Sequence, residues 1–134
     1  MCSLPVSPNS RYSRHNLLSD YNGSMKYVLN VNNDTITLIN NHLESNKLTQ
    51  EDRGIYEDMI KDPNAKKVKT GLRQLIRKLG EASAIRASQA DSVARIITES
   101  HYPTMIVCGD FNDGSISYTH RVLTQELDDA FTQS

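Results

Sequence analysis

Residues 68 to 99 read as one long amphipathic helical stretch with a strand on either side, and this arrangement limits the fold more than any other feature of the sequence. Leu72, Leu75, Ile76 and Leu79 keep the i, i+3, i+4, i+7 spacing of a helix with one apolar face. Ala82, Ile85, Ala90, Val93, Ala94 and Ile97 continue it, and Gly80 is expected to kink or divide the stretch. Ahead of it, Lys26 to Val31 and Thr35 to His42 are rich in β-branched and aromatic residues and flank Asn32-Asn33-Asp34, a tight turn. They form a β-hairpin whose second strand places Ile36, Leu38, Asn40 and His42 on one face. Leu48 to Lys61 reads as a shorter helix capped by Thr49, with Asp52 three residues on and Asp62-Pro63-Asn64 ending it. After Pro103, the apolar run Thr104 to Cys108 suits a strand covered on both faces. Ser117 caps a last helix to about Gln125, and Asp128 to Phe131 looks like the approach to another strand. Residues 1–22 form an irregular lead-in with room for a short edge strand. The order β-β-α-α-β-α, with a helical crossover between strands, predicts an α/β layer arrangement over residues 23–134.

Length and charge narrow the function. A chain of 134 residues suits one domain. A formal net charge of −1 gives no basic excess of the kind that long nucleic acids attract, while leaving room for a small phosphorylated substrate. Arg73, Arg77, Lys78 and Arg86 offer a weak nucleic-acid reading, but such a stripe is commonly a solvated helix face. Cys2 and Cys108 cannot make a disulfide framework or a zinc-finger spacing. No segment reaches the about 20 apolar residues of a membrane span. Met1 to Asp20 is polar and lacks the apolar core of a signal peptide.

Two clusters could carry chemistry. In an extended backbone, Asp110 and Asn112 of Gly109-Asp110-Phe111-Asn112 point to one side and Phe111 to the other. A carboxylate there can take a proton from an attacking water, and an amide beside it can hold a phosphoryl oxygen in line. On its own the motif is equally a strand ending in a polar turn. The second cluster is Asn40-Asn41-His42, where a histidine at a strand end can neutralise charge developing on phosphate. A single histidine is more often just a hydrogen-bonded residue. Together the clusters sit at the C-terminal ends of strands joined by a crossover, the edge where ligands gather in open α/β sheets.

The three segments Asn40-Asn41-His42-Leu43, Arg86-Ala87-Ser88-Gln89 and Gly109-Asp110-Phe111-Asn112 resemble those of the endonuclease/exonuclease/phosphatase superfamily, the deoxyribonuclease-I-like fold. The chain looks like an incomplete bacterial member, matching from about Asn22 onward, with Asn41 in place of the usual Thr. The resemblance implies a partial deoxyribonuclease-I-like α/β sandwich, about half of the four-layer fold. It implies a metal-dependent hydrolase of phosphomonoesters or phosphodiesters using Mg²⁺ or Mn²⁺. His42 would contact the scissile phosphate and Asp110 would orient or deprotonate the water. Asn112 would hold the phosphate, with Asn40 as a further substrate contact, and Asp110 and Asn112 would be ligands of a second metal. Arg86 and Gln89 are expected to be structural. The family's metal-binding glutamate and closing Asp-His pair find no counterpart: Glu44 and Glu51 follow the hairpin, and His120 reads as a solvated helix residue. The expectations are a weak or inactive isolated chain that binds no metal by itself. Its uncovered sheet should self-associate or pair with a missing half-domain. The alternative is a non-catalytic interaction module that keeps the half-fold as a scaffold.

Overall fold

The computed structural model describes residues 11–16, 22–62, 66–101 and 103–130. Three strands come first: β1 (Arg11–Asn16), β2 (Gly23–Val31) and β3 (Asp34–His42). Two helices follow, α1 (Gln50–Lys61) and α2 (Lys66–Thr98), then β4 (Thr104–Asp110) and α3 (Tyr118–Leu123). The strands make one sheet in the order β1-β2-β3-β4. The first three are antiparallel, and β4 runs parallel to β3 after the helical crossover. The lead-in therefore contributes an edge strand, and the element order gains one β at its start. Asn32 and Asn33 take positive φ (52° and 71°) in the β2–β3 turn, the left-handed pair that a two-residue hairpin loop of matching twist requires.

Register settles which residues meet the helices. Ile39, at 0% exposure, packs with Val93, Ile97 and Leu123, with Met105, Val107 and Phe111 against them. The covered face of β3 thus carries Thr37, Ile39 and Asn41. Among the described residues, no helix lies on the face with Ile36, Leu38, Asn40 and His42. Its ladder partners there are Leu29, Tyr27, Met25 and Gly23 on β2, and Thr104, Ile106, Cys108 and Asp110 on β4. The expectation that β4 is covered on both faces is overturned: it is an edge strand, and Ile106 is 51% exposed. Its apolar run reads as doubly covered because sequence shows hydrophobicity and not which neighbours exist.

The helix α2 runs 33 residues without a break at Gly80, about 50 Å at the usual rise. Gly80 is solvent-exposed and nothing packs on it, so it costs helix propensity and no geometry. Buried along α2 are Val68, Gly71, Leu75, Ala82, Arg86, Gln89, Ala90, Val93 and Ile97. Ile76, expected on the packed face, is instead 61% exposed. Gly71 is where α1 comes close, since a Cβ there would sit 2.8 Å from the Ile55 side chain. The start of α1 follows the sequence: Thr49 accepts from the Asp52 backbone N–H, and the Asp52 carboxylate accepts from the Thr49 N–H, closing a capping box. Ser117 caps α3 with a single bond, its hydroxyl accepting from the His120 N–H. Residues 124–130 form no strand, and Phe131 lies outside the described residues, as do Cys2 and Pro63.

Candidate functional site

The parallel pairing of β3 with β4 brings the two sequence clusters together. His42 and Asp110 are ladder partners at the C-terminal end of both strands. Neighbouring strands lie about 4.8 Å apart, and registered residues send their side chains to the same face. Both side chains are exposed. One step back on that face, Asn40 is registered with Cys108, whose Sγ lies 3.9 Å from the Asn40 Oδ1. The open face at this edge thus holds imidazole, carboxylate, amide and thiol. Cys108 was not singled out by the sequence, because alternation alone does not say which face of β4 is open.

Gly109 makes the approach possible. Its φ is +132°, and a Cβ there would lie 1.9 Å from the Asn41 carbonyl oxygen. Only glycine fits a backbone this close to a neighbouring strand with such a φ. The ladder then continues one step, the Leu43 N–H donating to the Asp110 carbonyl at 2.9 Å.

Beyond Asp110 the extended backbone ends. The Asn112 backbone N–H donates to Asp110 Oδ1 at 3.0 Å, a two-residue side-chain turn, and Asn112 itself takes φ 51°. Strand alternation therefore does not place Asn112 beside Asp110, as expected from the sequence. Its side chain instead turns inward, and Nδ2 donates to the Leu43 carbonyl at 3.0 Å. That bond ties the turn after β4 to the turn after β3. Phe111 does pack toward the core, as the motif implies.

Beneath the edge lies a buried polar layer. Asn41 accepts from Ser24 Oγ at 2.5 Å and donates to the Cys108 carbonyl at 3.3 Å. Glu44, 1% exposed, accepts from Asn22 Nδ2 at 2.6 Å and pairs with Lys47 at 2.6 Å. Gln89 Oε1 accepts from the Glu44 N–H at 2.8 Å. Arg86 donates to the Glu44 carbonyl at 3.0 Å and to Asn46 Oδ1 at 2.8 Å, and its Nε faces Asp113 Oδ2 at 3.4 Å. Arg86 and Gln89 therefore clamp the loop after β3 to α2. Buried polar groups need such partners, since an unmade bond there costs about 1–3 kcal/mol. The basic stripe suggested for nucleic acid does not form: Arg73 and Arg77 are exposed, Lys78 bonds Asp52, and Arg86 is buried in this layer.

The donor set does not fit the divalent cation that the sequence resemblance implies. Among the described residues, Asp110 is the single carboxylate on the open face at this edge, and its Oδ1 already accepts from the Asn112 N–H. Glu44 is buried and ion-paired to Lys47. Among the described residues no group of three or more His, Cys, Asp or Glu could hold a metal ion. Asp110 and Asn112 do not amount to a cation site by themselves. His120 is also not the solvated residue expected: Nε2 lies 2.9 Å from Asp129 Oδ2, and the ring is about one-third exposed. The partner comes from nine residues downstream and carries no periodic signal. Among the described residues no helix is long and apolar enough to cross a membrane. No family model, no curated protein and no solved structure matches this chain.

Proposed function

We propose that this chain carries part of the active site of a divalent-metal-dependent phosphoesterase, with Asp110, His42 and Asn112 as its working residues. Supporting this reading above all is the cross-strand registration of His42 with Asp110 on an exposed strand-end edge. In the reaction, the Asp110 carboxylate takes a proton from a water as the water oxygen bonds to phosphorus. The bond from phosphorus to the leaving oxygen breaks in line. His42 donates to a phosphoryl oxygen and offsets the charge that develops there, and Asn40 contacts the same group. For Asn112 to hold phosphate, its amide must leave the Leu43 carbonyl or use Oδ1 through a water. Mg²⁺ or Mn²⁺ would need ligands beyond Asp110 and Asn112, so the isolated chain hydrolyses phosphoesters weakly or not at all. NMR of the His42 ring and Asn112 amide during titration with a phosphodiester and Mg²⁺ tests the phosphate site. Shifts that vanish in His42→Ala and Asp110→Ala support it, and unmoved resonances at high ligand concentration defeat it. Substantial turnover lost in Asp110→Ala would overturn the weak-activity statement alone.

A second reading, a non-catalytic interaction module, is favoured by one observation. The sheet face that carries no helix among the described residues presents Met25 at 37% and Ile106 at 51% exposure, beside the partly buried Tyr27, Leu29, Ile36 and Leu38. A contiguous apolar face is a surface for association. Full activity restored by adding a separate ligand-supplying segment would decide for the enzyme.

A further inference from the structure

Between β4 and α3 lies a cavity of about 710 Å³, a size that suits a small organic ligand. Its apolar lining comes from Met105, Val107 and Phe111 on one side and from Leu123 and Leu127 on the other. Asn40, His42, Cys108 and Asp110 are not among its lining residues, so it is separate from the proposed phosphate site. Charge in the lining has one sign. The carboxylates of Asp113, Glu126, Asp128 and Asp129 border the space, and no Lys or Arg does. Two of them are offset in place: Asp113 faces Arg86 Nε at 3.4 Å, and Asp129 meets His120 Nε2 at 2.9 Å. Glu126 and Asp128 are exposed and have no cationic partner among the described residues. Acids beside an apolar wall focus a negative potential that draws cations in. Among the described residues no three such groups cluster as metal ligands, which leaves an organic cation.

A second observation is independent of charge. Thr119 borders the same cavity at 2% exposure, and its hydroxyl has no hydrogen-bond partner among the described residues. Its oxygen is not one of the sealed, unpaired side-chain atoms of the core, so it opens onto the cavity. The hydroxyls near it in sequence are engaged: Ser117 Oγ accepts from the His120 N–H, and Thr124 Oγ1 donates to the His120 carbonyl. A buried hydroxyl without a partner is costly, and a polar ligand atom beside it removes that cost. The inner end of the cavity thus asks for a hydrogen bond and the exposed end for a positive charge, with hydrocarbon between them.

We infer that this cavity binds a small hydroxyaryl amine. The ring lies against Met105, Val107 and Leu127, the ring hydroxyl meets Thr119, and the ammonium group faces Glu126 and Asp128. Titration of the full chain with tyramine, phenethylamine and tyrosol, followed by NMR of backbone amides, tests this. Tyramine should shift Thr119, Leu123 and Leu127. Tyrosol, which replaces the ammonium with a neutral hydroxyl, should bind roughly tenfold more weakly. Phenethylamine, which lacks the ring hydroxyl, should bind roughly threefold more weakly. E126Q/D128N should abolish the preference for tyramine over tyrosol, and Thr119→Val should abolish the preference over phenethylamine. No shift at these amides with about 10 mM tyramine overturns the inference. So does equal binding of tyramine and tyrosol, which would mean an apolar space filled without regard to charge, or a charge preference that survives E126Q/D128N. These outcomes decide the matter even where Thr119→Val does not fold.

Discussion

Gly109 bears more of the site's geometry than any residue with chemistry of its own. At φ +132° with the Asn41 backbone 1.9 Å from where a Cβ would lie, Gly109→Ala cannot be accommodated without moving β4 away from β3. Backbone strain of this kind costs about 1–3 kcal/mol before the clash is counted. Urea unfolding should show a loss of about 3 kcal/mol, with His42 and Asp110 separated in whatever remains folded. Arg86 is the second such residue. Its Nη1 donates to both the Glu44 carbonyl and Asn46 Oδ1 while its Nε lies 3.4 Å from the Asp113 carboxylate, a planar spread that an ammonium cannot match. Arg86→Lys should therefore destabilise by about 1–3 kcal/mol, the cost of leaving a buried acceptor unpaired. A Lys variant as stable as the parent in the same urea titration would show that the clamp contributes nothing.

Among the elements, α1 depends on a small set of contacts that can be titrated. The Asp52 carboxylate is held at a pKa of about 2, below the ordinary 3.8, first by its hydrogen bond from Lys78 and next by the Thr49 N–H. A depressed folded-state pKa favours the folded form above the unfolded pKa. Its contribution is complete above about 3.8 and is lost as the pH falls through about 2. Acid titration of α1 helicity should show this loss between those values, and Asp52→Asn should remove that step of the curve. Thr49→Ala takes away the other half of the capping box and should cost about 1 kcal/mol in thermal unfolding. In the core, Val93 packs fully buried on Ile39. Truncating Ile39 to Ala should cost about 2–5 kcal/mol, with the larger value if α2 cannot settle into the space.

At the scale of the whole molecule, the four-stranded sheet has helices on one side only among the described residues, an imbalance that favours association through the other face. The long α2 lies over the face carrying Thr37, Ile39, Asn41, Met105 and Val107, and among the described residues no helix lies on the opposite face, where Met25 and Ile106 are exposed. Cys108 sits on that open face, so its thiol should react with a maleimide at the rate of an exposed cysteine in native protein carrying Cys2→Ser. Slow labelling that speeds up on dilution would mean that the face is covered by another molecule. The proposed catalytic role also belongs at this scale, because the exposed Asp110 carboxylate and His42 imidazole do not by themselves complete a cation site. If the proposed phosphoesterase reading holds, further ligands must reach this edge from elsewhere in space.

Much of the architecture is legible in the sequence because it rests on local chemistry. The hairpin follows from Asn32-Asn33-Asp34 between β-rich runs, and α1 from the Thr49–Asp52 box. Asn40 to His42 and Gly109 to Asp110 fall at strand ends for the same reason: polar and glycine residues break an apolar alternation. The choices that need distant residues were not legible. Alternation gives two faces to β3 and β4 but does not say which one α2 covers, and register with Val93 and Ile97 decides it. Asn112 leaves the strand because Leu43, across the sheet, offers a carbonyl, and His120 finds Asp129 for a similar reason. Local propensity acts through neighbours along the chain, whereas the face, the edge and the partner of a side chain are set only once distant segments are packed together.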